Sequence, residues 1–202
     1  MRKFFTYSFF KKNDNFKFPF LQSHRGYCYE TSDENTLQSI KNAFEHKYAM
    51  VEFDVQMTSD HQIILFHDSF YKMGRRKRVI ARTNLSSVVQ DKKVTTLEDV
   101  FHWYKKNKIQ NFIFNIELKS KNLIKFKLEE EVLKLIRKHK MEKNIIISSF
   151  NPFTLAYFHA KEPQIFRSML LTLEKRLQNN IFVKKDSNTQ DMLLEGCLIK
   201  NI

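Results

Sequence analysis

"AMVEFDVQM", Ala49 to Met57, alternates along its length: Val51, Phe53, Val55 and Met57 take one side of an extended chain, and Glu52, Asp54 and Gln56 take the other. The pattern returns in "NFIFNIELK", Asn111 to Lys119, where Phe112, Phe114, Ile116 and Leu118 oppose Asn115, Glu117 and Lys119. Such alternation ordinarily marks an antiparallel sheet with one face in water. The surroundings of these two strands argue otherwise. Extended, apolar-rich segments recur at residues 18–24, 49–57, 62–67, 111–119, 144–150 and 164–171, and helical patterns lie between most of them. Leu37, Ile40, Phe44 and Tyr48 share one helical face, as do Ile124, Leu128, Val132, Leu135 and Ile136. "TTLEDVFHWYKK" opens with Thr95 and Glu98 at capping-box spacing, and "PFTLAYFHA" reads as another short helix. Strands alternating with helices imply an α/β domain with parallel strands and right-handed crossovers. If helices cover the outside of the sheet, the acidic face must point into a barrel interior or a cleft, toward the C-terminal strand ends where barrel active sites lie.

Composition bounds the rest. The 202 residues are 42% hydrophobic and show no compositional break, which fits one domain with a full core. With 3 glycines and 3 prolines against 20 phenylalanines, turns must be built largely from Asn, Asp, Ser and Lys. The net charge of +13, with a basic run "GRRKR" at Gly74–Arg78, fits either an anionic partner or substrate or a solvated basic surface. Cys28 and Cys197 are far apart with no metal-ligand spacing, which argues against a disulfide framework or a zinc site and fits a reducing compartment. Residues 1–17 read as a basic, aromatic extension ahead of a domain at 18–202. That extension lacks the apolar core and cleavage site of a signal peptide, and no stretch approaches the ~20 apolar residues of a membrane span. Cytoplasmic residence is therefore expected, with peripheral attraction to anionic lipid left open.

Three carboxylates from two strands, Glu52, Asp54 and Glu117, would repel one another unless a cation sat between them. All-oxygen ligands suit one hard divalent cation, Mg²⁺ or Ca²⁺. Acids two residues apart are weak evidence alone, and Glu117 with Lys119 is equally a structural ion pair. His24 and His67 each end an extended segment, where a histidine pair across a cleft can serve as general base and general acid. A lone histidine at a strand end is more often structural. Together with Arg25 and Lys119, however, the groups form a site for a phosphate and a metal that polarises it.

The segments "HRG", "ENTL", "VEFDVQMTSD", "LFHD", "TLEDV", "NIELK" and "SSFNPFTL" follow the order and approximate spacing of the glycerophosphodiester phosphodiesterase family, which the chain resembles from about Leu21 to Thr172. The resemblance implies a TIM (β/α)8-type barrel that hydrolyses glycerophosphodiesters to glycerol 3-phosphate and an alcohol. By position, His24 and His67 correspond to the acid/base pair, Arg25 and Lys119 to phosphate contacts, and Glu52, Asp54 and Glu117 to the metal ligands. It further implies attack of the glycerol hydroxyl on phosphorus, giving a cyclic phosphate that water opens. Gly26 would let the backbone turn at the barrel mouth. Asp33 or Asn35 would cap the following helix, with Glu34 and Asn35 limited to that capping role.

The chain departs from the family pattern in three places. Asp33 stands where the family usually has Pro before "ENT". The stretch from Tyr71 to Lys93 is too short for the insertion subdomain of some members, leaving the "GRRKR" loop as the element that caps a substrate or meets an anionic head group. Six extended segments are present, and one of them, "QIILFH", reads as either a separate barrel member or a continuation of the second strand. The tail offers at most two short strands near Ile181 and Cys197, without the family's Trp-Thr-Val-Asn-like motif, so the last one or two strand-helix units are expected to be missing. An open barrel favours a second copy of the chain as partner. Two alternatives to the leading activity follow: a catalytically weak relative that binds phosphodiesters or lipid head groups, and lysophospholipase D-like cleavage on the same barrel. Nucleic-acid binding through the basic surface has less behind it, since it would not need the two histidines.

Overall fold

The computed structural model describes residues 21–28, 34–120 and 125–171. The extension at 1–17, Asp33, Ile124 and the strands expected near Ile181 and Cys197 lie outside the described residues.

The alternating stretch Ala49 to Met57 forms β2, Met50–Met57, at the heart of a six-stranded sheet. β1 (Gln22–Ser23) lies parallel on one side and β6 (Ile113–Leu118) parallel on the other, followed by β7 (Ile145–Ser149) and β8 (Phe166–Met169), also parallel. Sequential parallel strands in this spatial order, with helices in the crossovers, are the arc of a (β/α) barrel. β3 (Ile63–Leu65) is the exception: it pairs antiparallel with Val55–Met57, so "QIILFH" is not a parallel barrel strand. Except at Gln56 and Met57, which are half-buried at the end of β2, both faces of β2 and β6 are closed to water, as an interior-facing acidic row requires.

The apolar faces meet the helices. Val51, Phe53, Val55, Phe114, Ile116 and Leu118 are buried in one core with residues of α1 (Leu37–Glu45), α3 (Leu97–Lys106), α4 (Lys127–Lys138) and α5 (Pro152–Lys161). Phe114 lies at its centre, with Phe53, Phe101, Tyr104 and Phe112 rings packed edge-on or tilted at centroid distances of 5.4–6.3 Å. The opposite faces align polar residues in register: Asp54 on β2, Glu117 on β6, Ser148 on β7 and Ser168 on β8 are successive partners.

Two helix starts fall one residue later than the sequence suggests. Thr36, not Asn35, caps α1 in a reciprocal capping box with Ser39. Thr96 and Asp99, not Thr95 and Glu98, form the box of α3. Thr95 is held elsewhere: its Oγ1 accepts from the Leu37 N–H at 2.9 Å and its carbonyl from the Leu65 N–H at 2.8 Å. The stretch around "GRRKR" is no mere loop. β4 (Phe70–Met73) and β5 (Arg76–Val79) form a hairpin across Gly74 and Arg75, and α2 (Leu85–Asp91) follows. Gly74 supplies the positive φ of 59° that a two-residue hairpin turn favours. No helix among the described residues is long and apolar enough to cross a membrane.

Candidate active site

His24 and Arg25 directly follow β1, and a sharp turn sets them against Glu52 and Asp54 of β2. Arg25 and Gly26 both have positive φ, 55° and 88°. A Cβ on residue 26 would lie 2.2 Å from Ser39 Oγ, so the approach of α1 requires glycine there. The Arg25 backbone N–H donates to Glu52 Oε2 at 3.0 Å, while its carbonyl accepts from the Asn35 N–H and from Ser39 Oγ.

Glu52, Asp54 and Glu117 converge inside the arc. All three are buried, and one carboxylate oxygen from each lies within 4.8 Å of the others. Asp54 and Glu117 are direct register partners, which explains the meeting: neighbouring parallel strands project the same pleat face. Lys119 Nζ lies 2.9 Å from Asp54 Oδ1 and also pairs with Glu117, so the ion pair weighed from sequence is present and extends to Asp54. Arg25 Nε lies 3.2 Å from Asp54 Oδ2, and its Nη1 donates to Glu34 at 2.9 Å.

These contacts divide the acids. Burial would raise the Asp54 pKa, but Lys119, the Asn35 amide and Arg25 outweigh it and hold the carboxyl below its ordinary value. Glu52 is pushed well above the carboxylate range, first by burial and then by the charge of Asp54, against a smaller pull from the Arg25 N–H. Burial raises Glu117 too, opposed by Lys119. Lys119 loses basicity to burial but regains more from Asp54 and Glu117. Lys119 and Arg25 therefore favour one buried carboxylate fully, and the two glutamates are left short of positive charge. Glu52 Oε1 is buried with no hydrogen-bond donor among the described residues. An oxygen-only trio with such an orphaned atom fits a hard divalent cation, with Glu52, Asp54 and Glu117 as the residues that would hold it.

The histidines lie nearer solvent. His24 Nε2 is 3.8 Å from Glu52 Oε2, and the His24 side chain is 58% exposed. His67 Nδ1 is 2.8 Å from Asp68 Oδ1; with that nitrogen donating, Nε2 is left to exchange a proton. The Gln56 amide donates to the His67 carbonyl at 3.1 Å, tying the histidine's loop to the end of β2.

Asn35 is the residue the sequence reading placed wrongly. Its amide nitrogen donates to Asp54 Oδ2 at 3.0 Å, and its Oδ1 accepts from the Asp54 backbone N–H at 2.9 Å. Glu34 likewise contacts Arg25 rather than the helix start. Both belong to the site's surroundings, not to a cap.

The family model of the glycerophosphoryl diester phosphodiesterases matches residues 24–191. The chain belongs to that family. Among its relatives, an uncharacterised Bacillus subtilis protein, YqiK, is 32% identical over 151 residues, covering 68% of this chain and 60% of its own length. A glycerophosphodiester phosphodiesterase of Caldanaerobacter subterraneus is 28% identical over 146 residues, covering 66% and 58%. The chain thus spans about three fifths of the length of these two relatives. An Oleispira antarctica phosphodiesterase solved in complex with the product sn-glycerol-3-phosphate superposes with a TM-score of 0.66 at 23% identity, covering 87% of this chain and 72% of that one. These likenesses agree with the TIM-barrel reading of the parallel arc.

Proposed function

We propose that this protein hydrolyses glycerophosphodiesters to glycerol 3-phosphate and an alcohol. The observation that carries the reading is the convergence of three buried carboxylates with Arg25 and Lys119 under His24. Arg25 and Lys119 bind the phosphoryl oxygens, and Asn35 keeps Asp54 in place beside them. One histidine accepts the proton of the attacking glycerol hydroxyl as its oxygen bonds to phosphorus. The other gives a proton to the alcohol oxygen as the P–O bond to the leaving group breaks. Water then opens the cyclic phosphate with the two roles exchanged: one histidine takes the proton of water as its oxygen bonds to phosphorus, and the other returns a proton to the glycerol oxygen as the ring P–O bond breaks. A Mg²⁺ or Ca²⁺ ion held by Glu52, Asp54 and Glu117 supplies charge neutralisation at the phosphoryl oxygens when bound.

The test is release of glycerol 3-phosphate from glycerophosphoethanolamine by purified protein, compared with His24→Ala and His67→Ala. Turnover that falls by about 100-fold or more in each variant supports the pair, since positioned acid/base groups contribute on that order. Turnover unchanged in both rejects their assignment. No turnover from folded wild-type protein rejects the activity and leaves a family member that only binds.

A further inference from the structure

Beside the candidate site lies a cleft of about 730 Å³, within the size range of small-molecule sites. Its lining brings Arg25, Asn35 and His67 together with Phe70, Lys72, Lys92 and Lys93. The hairpin and the segment after α2 therefore build a wall against the catalytic groups.

The charges of that wall sort themselves. Arg78 is engaged with Asp91 at 3.4 Å, Asp91 also accepts from the Tyr71 hydroxyl at 2.7 Å, and Lys77 sits 3.5 Å above the Phe70 ring centroid. The acids of the cleft are engaged too: Glu34 pairs with Arg25, and Asp68 with His67. The ammonium groups of Lys72, Lys92 and Lys93 make no hydrogen bond or ion pair among the described residues. Three positive charges from two separate elements thus face one cleft without a counter-charge, together with Arg25 and His67. A zwitterionic head group would bring its ammonium to this wall, and an anionic one would bring complementary charge.

We propose that this cleft is a subsite for a second phosphate on the alcohol part of the substrate, held by Lys72, Lys92 and Lys93. The exposed tip of the hairpin, at Arg75 and Arg76, is not part of it. The inference rests on the phosphodiesterase reading and deepens it: the preferred substrates are glycerophosphodiesters whose leaving alcohol is itself phosphorylated. Such a phosphate is carried either by a soluble deacylated diester or by an anionic lysolipid head group.

The experiment compares two diesters that differ by one phosphate, glycerophosphoglycerol and glycerophosphoglycerol phosphate. The ratio of their kcat/KM values is measured for wild type and for Lys72→Gln/Lys92→Gln/Lys93→Gln, at low and high salt. The expected result is a preference of about tenfold or more for the phosphorylated diester, residing in KM, weakened by salt and close to unity in the triple variant. A ratio near unity in wild type, or one that the triple variant leaves intact, overturns the subsite. The same pair is titrated by calorimetry into His24→Ala protein, so that binding is read without turnover. A retained affinity difference alongside an inactive wild type supports the subsite and counts against the phosphodiesterase activity alone. Equal affinities overturn the subsite whatever the activity. A third arm, monoacyl lysophosphatidylglycerol phosphate in mixed micelles, separates the sources: faster turnover than the deacylated compound assigns the phosphate to a lipid head group, and slower turnover assigns it to a soluble diester.

Discussion

Asn35 holds Asp54 through both ends of its amide, from a left-handed backbone with φ of 56°. Removing it strands the buried Asp54 N–H and frees the carboxylate that Lys119 and Arg25 converge on. Asn35→Ala should therefore lower unfolding free energy by about 1–3 kcal/mol, measured by urea denaturation. It should also reduce turnover more than the stability loss explains. Gly26→Ala forces a Cβ against Ser39 at a φ of 88°, and should destabilise the fold by about 2 kcal/mol or more in the same assay. Of these two, Gly26 was legible in the sequence because a glycine between "HR" and a helix has few other uses. Asn35 was not. An asparagine at a helix start is an ordinary cap, and only the capping box of Thr36 with Ser39 frees its side chain for the interior. Glu52, Asp54 and Glu117 were readable together because strand alternation fixes which side chains share a face, and adjacency of β2 and β6 then sets them in register.

At the scale of elements, long amphipathic segments announced themselves and charged or split ones did not. β4 and β5 carry Lys72, Arg76, Lys77 and Arg78 on a two-stranded hairpin, so no apolar alternation betrays them. The antiparallel turn of β3 back onto β2 was visible only as an ambiguity, because a short apolar run gives no direction. Between α3 and the end of α4, Glu98 accepts from Lys138 Nζ at 2.6 Å and lies 3.2 Å from His139 Nε2. The Lys138 hydrogen bond, then that of His139, lower the Glu98 pKa below its ordinary 4.5 against a smaller effect of burial. A carboxyl depressed on folding stabilises the folded state above its unfolded pKa and loses that contribution as pH falls through the folded value. Glu98→Gln should therefore be less stable than wild type near neutral pH by under about 1 kcal/mol, as for a surface pair. The gap in Tm should close in acid below the ordinary carboxyl pKa; a gap independent of pH would show that the charge contributes nothing.

Across the whole molecule, one layer of apolar residues joins the sheet to its helices while the reverse face of the same strands carries the polar row Asp54, Glu117, Ser148 and Ser168. Stability and site thus come from opposite faces of β2 and β6. Phe114→Ala should cost about 3–5 kcal/mol through the cavity it leaves among Phe53, Phe101, Tyr104 and Phe112. Glu117→Gln, three positions along the same strand, should leave the Tm close to wild type while abolishing metal-dependent turnover. We propose that the buried trio is the cation centre of a working phosphodiesterase. The most direct test is the rate of glycerol 3-phosphate release as Mg²⁺ or Ca²⁺ is titrated into chelator-treated protein, for wild type and Asp54→Asn. A cation centre there gives no turnover in chelator, saturable recovery with cation, and no recovery in Asp54→Asn; equal turnover with and without cation, or full activity in the variant, excludes it.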